Sequence, residues 1–359
     1  MKGARVQKTV RVGILGATGT VGQRFLQLLE GHPSFTVSAL AASDRSEGKP
    51  YAEACTWRLP GDVPPAARGL PVQAPEPPLD CDVVFSSLPA EVAGSVETRF
   101  AQAGYPVISN SSAHRMNDPV PLIIPEVNPD HLGLLDTCRE TMGSGRGFIV
   151  TNPNCSAVMI ALSLAPLAAR FGVQAVVVTT LQALSGAGYP GVSALDITDN
   201  VIPFIAGEEE KIERETRKIL GRLQGGRVAP ASFPVSAQCH RVNVIDGHLA
   251  AIRVTLGRPA DPADLHDAFA SFRALPQELR LPSAPERPIV VRDEPDRPQP
   301  RLDRDAGRGM SVTVGRIARD GVLGHRFVVL SHNTVRGAAG AAILNAELLL
   351  AKGYLKAGA

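Results

Sequence analysis

VGILGATGTVGQ, residues 12–23, places glycines at 13, 16, 19 and 22, three residues apart, between an apolar strand and an apolar-periodic helix. The strand is VRVGIL (10–15), and the helix carries FLQLLEG before Pro33. Glycine lets the chain turn sharply and lets its backbone approach a phosphate closely. The first turn of the following helix offers unpaired N–H groups and the positive end of its dipole. The spacing is GxxGxxG, a relative of GxGxxG, and a bare tight turn is the competing reading. Strand, glycine turn and helix in that order point to dinucleotide binding.

Outward from this turn the same order repeats. TVSALAAS (36–43), DVVFSSL (82–88) and PVISN (106–110) predict strands, with a helix over 90–103. Alternating strands and helices imply a parallel sheet with helices on both faces. The character changes near residue 147. GFIVTNPN runs into Cys155 and then SAVMIALSLAPLAARFG, a helix of small and apolar residues. VQAVVVTTLQ (173–182) predicts a central strand, and 208–220 a charged helix with Ile212, Ile219 and Leu220 as its apolar residues. Strands are expected around 242–245, 250–256, 310–317 and 326–331, which makes the second half sheet-rich. The proline-laden stretch 281–301 predicts an extended, ordered excursion, because IVV interrupts it. The final TVRGAAGAAILNAELLLAKG is helical, with small residues suited to close packing.

Lysine plus arginine number 37 against 35 aspartate plus glutamate, a balance that points to neither nucleic acid nor a membrane surface as partner. No run of about 20 apolar residues exists to span a bilayer. The opening MKGARVQKT is basic without the apolar stretch of a signal peptide, so a cytoplasmic protein is expected. The five cysteines (55, 81, 138, 155 and 239) are scattered without CxxC spacing, so neither a disulfide framework nor a metal site is expected. The length of 359 residues suits two domains.

The end of the second strand should choose the dinucleotide. Asp44 favours the free ribose hydroxyls of NAD, whereas Ser43, Arg45, Ser46 and Lys49 favour the 2′-phosphate of NADP. Three or four donors outweigh one acid that is free to face solvent, so NADP is expected. The alternative is an ordinary polar loop.

One cysteine stands apart by its neighbours. In TNPNC (151–155) Asn152 or Asn154 caps the helix, which puts Cys155 in the first turn. There the dipole and free N–H groups should lower a thiol pKa and hold an oxyanion. A thiolate beside a nicotinamide adds to an aldehyde, loses hydride to NADP⁺ and remains as a thioester, which phosphate, coenzyme A or water resolves. The chemistry needs an acid/base. An inert core cysteine is the bland alternative.

GATGTVGQ (16–23), SNSSAHRM (109–116), IPEVNPDHL (124–132), NPNC (152–155), TTLQALSGAGYPG (179–191), IPFIAGEEEKIERET (202–216), CHRVNVIDGH (239–248), RPQPRLDRDAGRGM (297–310) and SHNTVRGAAGAAILNAEL (331–348) together resemble the aspartate-semialdehyde dehydrogenase family, in its archaeal and fungal branch. The resemblance covers nearly the whole chain. It implies an α/β fold: a Rossmann-type parallel-sheet NADP-binding domain (1–150 with 335–359) and an α+β catalytic and dimerisation domain (151–334). It implies Cys155 as nucleophile and His248 as acid/base. Arg241 would hold the substrate carboxylate, Glu208 its ammonium, and Lys211 and Arg115 its phosphate, while Gln182 and Asn154 complete the substrate site. Ser185, Gly186 and Asn333 would touch the cofactor, joining Gly16, Thr18, Gly19, Thr20, Val21, Ser43, Arg45, Ser46 and Ser87 as candidate cofactor contacts. Arg241 and His248 are seven apart, an odd offset that sets side chains on opposite faces of one strand, so the segment should turn near Asp246 and Gly247. His240 departs from the asparagine more usual in this branch and is expected to be a tolerated neighbour. No metal is implied, and a homodimer or homotetramer is.

Each role has a plain competitor. Glu208 and Lys211 share a helix face and also fit a solvated pair. Arg115 and Arg241 also fit the surface, and His248 an ordinary turn. The implied reaction is NADPH-dependent reductive dephosphorylation of L-aspartyl 4-phosphate, in the biosynthesis of lysine, threonine, methionine and isoleucine. The rivals are a malonyl-CoA reductase, an N-acetylglutamyl-phosphate reductase and a non-catalytic NADP sensor. Glu208 speaks against the first, since malonyl carries no ammonium.

Overall fold

The computed structural model describes residues 9–357; residues 1–8, with most of the basic opening stretch, and 358–359 lie outside them. β1 (Val10–Leu15), β2 (Phe35–Ala41), β3 (Val72–Gln73), β4 (Val83–Ser86), β5 (Pro106–Ser109) and β6 (Phe148–Thr151) form one parallel sheet in the order β3-β2-β1-β4-β5-β6. β1 is buried except at Arg11, as an apolar strand covered on both faces must be. The strand order reverses between β1 and β4. With right-handed crossovers, that reversal sends helices to opposite faces and opens a crevice at the carboxyl ends of these two strands. The glycine turn follows β1 and Ser87 follows β4, so both stand at the crevice.

The core of this sheet includes Phe25 and Phe85, stacked with ring centroids 5.0 Å apart, a pairing that adds about 1 kcal/mol to area burial. The chain end joins the same core. A single π-helical turn, Val335–Ala339, runs into the helix Gly340–Ala351, whose Ala342, Ile343, Leu344, Leu348 and Leu349 are buried with Val12 and Phe25. The small residues have a reason: a Cβ at position 340 would stand 2.5 Å from the Met310 sulfur.

The second sheet is mixed. β7 (Val173–Gln182) begins it; β8 (Arg222–Gln224) and β9 (Arg227–Ala229) form a separate hairpin; β10 (Val235–Arg241), β11 (His248–Leu256), β12 (Ile289–Arg292), β13 (Val312–Asp320) and β14 (Gly324–Ser331) complete the order β10-β7-β11-β14-β13-β12. One face packs on the helices Cys155–Phe171, Glu208–Ile219 and Pro262–Ala270. The other face is open. Val176, Val178, Ala250, Ile252, Phe327 and Val329 are buried, while Val177 and Leu181 are each 37 % exposed and Arg253 points to solvent. Period-two burial with an apolar open side marks a sheet built to meet something.

The sequence expectations meet the fold with two corrections, and the ordered proline-laden stretch is as expected. The strand expected over 242–245 is a loop; the strand lies earlier, at Val235–Arg241, where SAQCH alternates polar and buried residues. The helix Pro262–Ala270 was not anticipated, although Asp261 and Asp264 form a capping box at its start. The proline-laden stretch carries β12, paired parallel with β13. Among the described residues no helix is long and apolar enough to cross a membrane.

Candidate active site

The first end of the site is built from glycine. Gly16 takes φ +77°, and a Cβ there would stand 2.9 Å from the Ser87 carbonyl oxygen; a Cβ at Gly22 would stand 2.3 Å from the Gly16 oxygen. These two positions exclude any side chain, so the turn folds flat against the end of β4. Ser87 Oγ donates to the Leu15 carbonyl at 3.1 Å. Gly19 caps the helix Thr20–Leu29 with no side-chain hydrogen bond, which leaves its first N–H groups free for an anion. Thr18, Thr20 and Val21 are half-buried along the turn. The N–H groups of Gly16 and Ala17 donate to the Ala41 carbonyl, so the loop after β2 starts beside the turn. In that loop Ser43, Asp44 and Arg45 are exposed, and Ser46 is buried. The turn suits a pyrophosphate: missing Cβ atoms let its backbone pack closely at Gly16 and Gly22, and the first N–H groups of the helix are left without a side-chain cap.

The other end is built from side chains. Asn154 settles the capping choice: its Oδ1 accepts from the N–H groups of Ser156 at 2.8 Å and Ala157 at 3.1 Å. Asn152 instead ties Asn110, Ala338 and Asn345 together. Cys155 therefore opens its helix, and its Sγ lies 3.2 Å from His248 Nε2. The π-helical turn approaches from the other side, where a Cβ at Gly337 would stand 2.7 Å from Cys155 Cβ.

Arg241 ends β10 and His248 begins β11, on either side of β7, which ends at Gln182. The odd offset is thus resolved by a crossover spanning 242–247, finished by Gly247 at φ +103°. Arg241 Nη1 donates to the Ala183 carbonyl at 2.7 Å. A Cβ at Gly186 would come within 2.9 Å of the His248 ring and 3.0 Å of Arg241 Nη1, so Gly186 backs both. Asn333 accepts from the Gly247 N–H at 2.8 Å and donates to Ser185 Oγ at 2.7 Å, which pins the end of the crossover to the loop after β7. Gln182 is buried, with its amide donating to Thr180 at 3.3 Å. His240 neighbours Arg241 on an alternating strand, so its side chain leaves on the opposite side, bonded to the Thr180 carbonyl at 3.3 Å.

The charged helix lies across the start of the Cys155 helix. Buried Glu208 accepts from Asn154 Nδ2 at 2.8 Å, and half-buried Lys211 stands one turn on. Arg115 is buried, donating to Glu215 at 3.0 Å and to the Asn110 carbonyl at 2.6 Å. Its Nε is buried without a partner. Two residues of this network escaped the sequence reading. Glu215 also accepts from the Asn154 N–H at 2.5 Å, and Lys218 donates to the carbonyls of Arg115, Asn117 and Val120. Residues 208, 211, 215 and 218 repeat at 3-4-3 spacing, one helical stripe. Charge at the positions where a core helix is usually apolar was the sign available.

The thiol is not activated in the way the helix start suggested. Burial first, then the charge of Glu208, pushes Cys155 up to about 12, against the smaller opposing pull of Arg115 and Arg241. Burial, Arg241 and His332 push His248 down to about 3. The ligand-free pair is a thiol and a neutral imidazole, because desolvation outweighs one helix terminus. The other four cysteines are buried free thiols. Among the described residues no cluster of three or more histidines, cysteines and carboxylates is disposed to hold a metal.

Comparison with known proteins identifies relatives of the whole chain. The family model of the semialdehyde dehydrogenase NAD binding domain matches residues 11–135, and that of the semialdehyde dehydrogenase dimerisation domain matches 164–336. The aspartate-semialdehyde dehydrogenase of Archaeoglobus fulgidus is 54 % identical over 340 residues, which cover 94 % of this chain and 97 % of that protein. The crystal structure of the Candida albicans aspartate-semialdehyde dehydrogenase with NADP superposes with a TM-score of 0.89 at 44 % identity, covering 97 % of this chain and all of that one. Aspartate-semialdehyde dehydrogenase II of Vibrio cholerae, complexed with ASA, gives 0.77 at 27 % identity, covering 97 % of this chain and all of that one.

Proposed function

This chain belongs to the aspartate-semialdehyde dehydrogenase family, and from that premise we propose that it reduces L-aspartyl 4-phosphate to L-aspartate 4-semialdehyde, with release of phosphate, through a thioester on Cys155. The step serves lysine, threonine, methionine and isoleucine synthesis in the cytoplasm. The observation that carries this reading is a thiol at a helix start, 3.2 Å from an imidazole and surrounded by Glu208, Arg115 and Arg241, whose charges all reach the sulfur.

Cys155 displaces phosphate from the acyl carbon, and His248 governs the proton at sulfur and at the tetrahedral oxygen. The glycine turn would hold NADPH, which would supply the hydride that reduces the thioester. Glu208 meets the substrate ammonium, Arg241 its carboxylate, and Lys211 and Arg115 its phosphate; Gln182 and Asn154 orient it. Arg115 suits that task because its buried Nε has no partner of its own. Charged hydrogen bonds of this kind are worth about 1.5–3 kcal/mol each. Ser43, Arg45 and Ser46 would hold the 2′-phosphate, and Ser185, Gly186 and Asn333 would touch the same cofactor. Residues 1–150 with 335–359 carry the dinucleotide and 151–334 the chemistry, and the open face of the second sheet meets another copy in a homodimer or a dimer of dimers.

A malonyl-CoA reductase would share Cys155 and the cofactor, but its substrate would bring no ammonium to buried Glu208. The deciding assay follows NADPH formation from L-aspartate semialdehyde, phosphate and NADP⁺, with malonate semialdehyde and coenzyme A in parallel. Phosphate-dependent turnover of the aspartyl substrate alone is expected. Turnover only with coenzyme A overturns the substrate assignment.

A further inference from the structure

We propose that Glu215 is a positioning residue for the reaction: its carboxylate fixes the guanidinium of Arg115 against the start of the Cys155 helix, so that the acyl phosphate is held at a set distance from the thiol. The inference rests on the reading of Cys155 as nucleophile and Arg115 as a phosphate contact, and adds what places the two. Glu215 is buried, and both of its oxygens are spent on the site. Oε1 accepts from Arg115 Nη1 at 3.0 Å. Oε2 accepts from the main-chain N–H of Asn154, the residue before Cys155, at 2.5 Å. An ionised carboxylate is a rigid plane that only accepts, so one group sets the phosphate contact and the helix start in one relation.

The same helix holds the rest of both partners. Lys218 Nζ donates to the Arg115 carbonyl at 2.7 Å and also to the carbonyls of Asn117 and Val120. Arg115 is therefore gripped at its main chain and at its guanidinium by one helix. Its Nη2 donates to the Asn110 carbonyl at 2.6 Å, and its Nε is buried without a partner. With Nη1 and Nη2 engaged, the Nε edge is the one left for an anion. Asn154 is gripped in the same way, at its N–H by Glu215 and at its amide by Glu208. The stripe 208, 211, 215 and 218 thus divides: Glu208 and Lys211 meet the substrate, while Glu215 and Lys218 hold the residues that do.

Stability does not account for the charge. Ile212 and Ile219 fill their buried positions on this helix with apolar atoms, and a buried ion pair seldom outdoes apolar packing of the same shape. An exposed pair would be screened and loosely oriented. The Arg115–Glu215 pair is shut away from water, where a charged hydrogen bond keeps its direction.

The test compares Glu215→Gln with the parent in turnover of L-aspartate semialdehyde, phosphate and NADP⁺. The amide has one acceptor oxygen where the carboxylate has two, so it cannot serve both donors. KM for phosphate should rise about tenfold and kcat fall about 10- to 100-fold. KM for the semialdehyde and the affinity for NADPH should change by no more than about twofold. Because Glu215 acts through Arg115, adding Glu215→Gln to Arg115→Ala should move the phosphate KM no further. A second full rise in that double variant, or equal rises in the KM of phosphate and semialdehyde, marks a merely structural acid and overturns the proposal. An unchanged phosphate KM in Glu215→Gln overturns it as well. Should the amide variant not fold, Glu215→Asp, which keeps the charge on an arm one methylene shorter, takes its place with the same expectations. A parent without phosphate-dependent turnover fails the functional reading and this inference together. A parent that uses phosphate no better than Glu215→Gln does fails this inference alone.

Discussion

The two ends of the cleft are built on opposite plans. The glycine turn is built from missing side chains and unspent N–H groups, whereas the thiol site is built from buried side chains that already hold one another. Between 12 and 23 nothing ionises, and the turn is held by neutral hydrogen bonds such as Tyr51 to the Ala17 carbonyl and Gln23 to the Thr18 carbonyl. Around Cys155, Asn154 caps the helix and is tied to Glu208 and to Glu215. An empty cradle tolerates no added atom, and a filled one tolerates no lost partner.

The comparison breaks hardest at the nucleophile. Cys155→Ser should lower turnover by about 10³-fold or more, while NADPH titration by fluorescence shows the cofactor end unchanged. Loss of both together would mean the two ends are one cooperative unit. Glycines probe each end in the same currency. Gly337→Ala drives a methyl against Cys155 and should cost about 100-fold in kcat at unaltered dinucleotide affinity. Gly16→Ala pays αL strain of about 1–2 kcal/mol and should weaken NADPH about tenfold or more; steady-state kinetics with a dinucleotide titration separates them. Glu208→Gln should raise KM for the semialdehyde by about tenfold and leave KM for phosphate alone, whereas Arg115→Lys should do the reverse. A common shift in both would sink the assignment of separate charges to separate partners.

The smallest effect is in stability against pH. His248 is held at about 3 in the folded protein against an ordinary 6.5, so between those values the unfolded chain binds the extra proton. Its share of stability is present above about 6.5 and is lost as pH falls, with a slope of at most about 1.4 kcal/mol per unit. Denaturant melts of His248→Asn against the parent should show a difference that shrinks with acid only below that value. A difference constant from neutral pH to about pH 5 would rule out the buried neutral imidazole.

The cofactor end was legible because its information is contiguous. Strand, turn and helix occupy twenty residues, and each glycine's reason is local. The pairing of Cys155 with His248 is implied by family resemblance, since the residues alone do not separate His248 from His240. What separates them is alternation on β10, which turns His240 away, and the crossover that returns the chain beside β7. Glu215 and Lys218 lay in a charged helix whose stripe is visible only once one face is known to be buried. The strand misplaced to 242–245 has the same origin: a β-branched run, VNVI, outranks SAQCH by propensity, and packing reverses the order.

By itself the sequence determined the α/β fold, the dinucleotide turn and the helix start that carries Cys155, because each depends on neighbours within a few residues. Only the tertiary structure decided which histidine faces the thiol, which nitrogen of it does so, that Arg115 is locked to Glu215, and that burial holds the thiol protonated. Those are properties of distance and desolvation among segments as far apart as residues 115, 155, 183, 248 and 337, and no local pattern encodes how closely such segments pack.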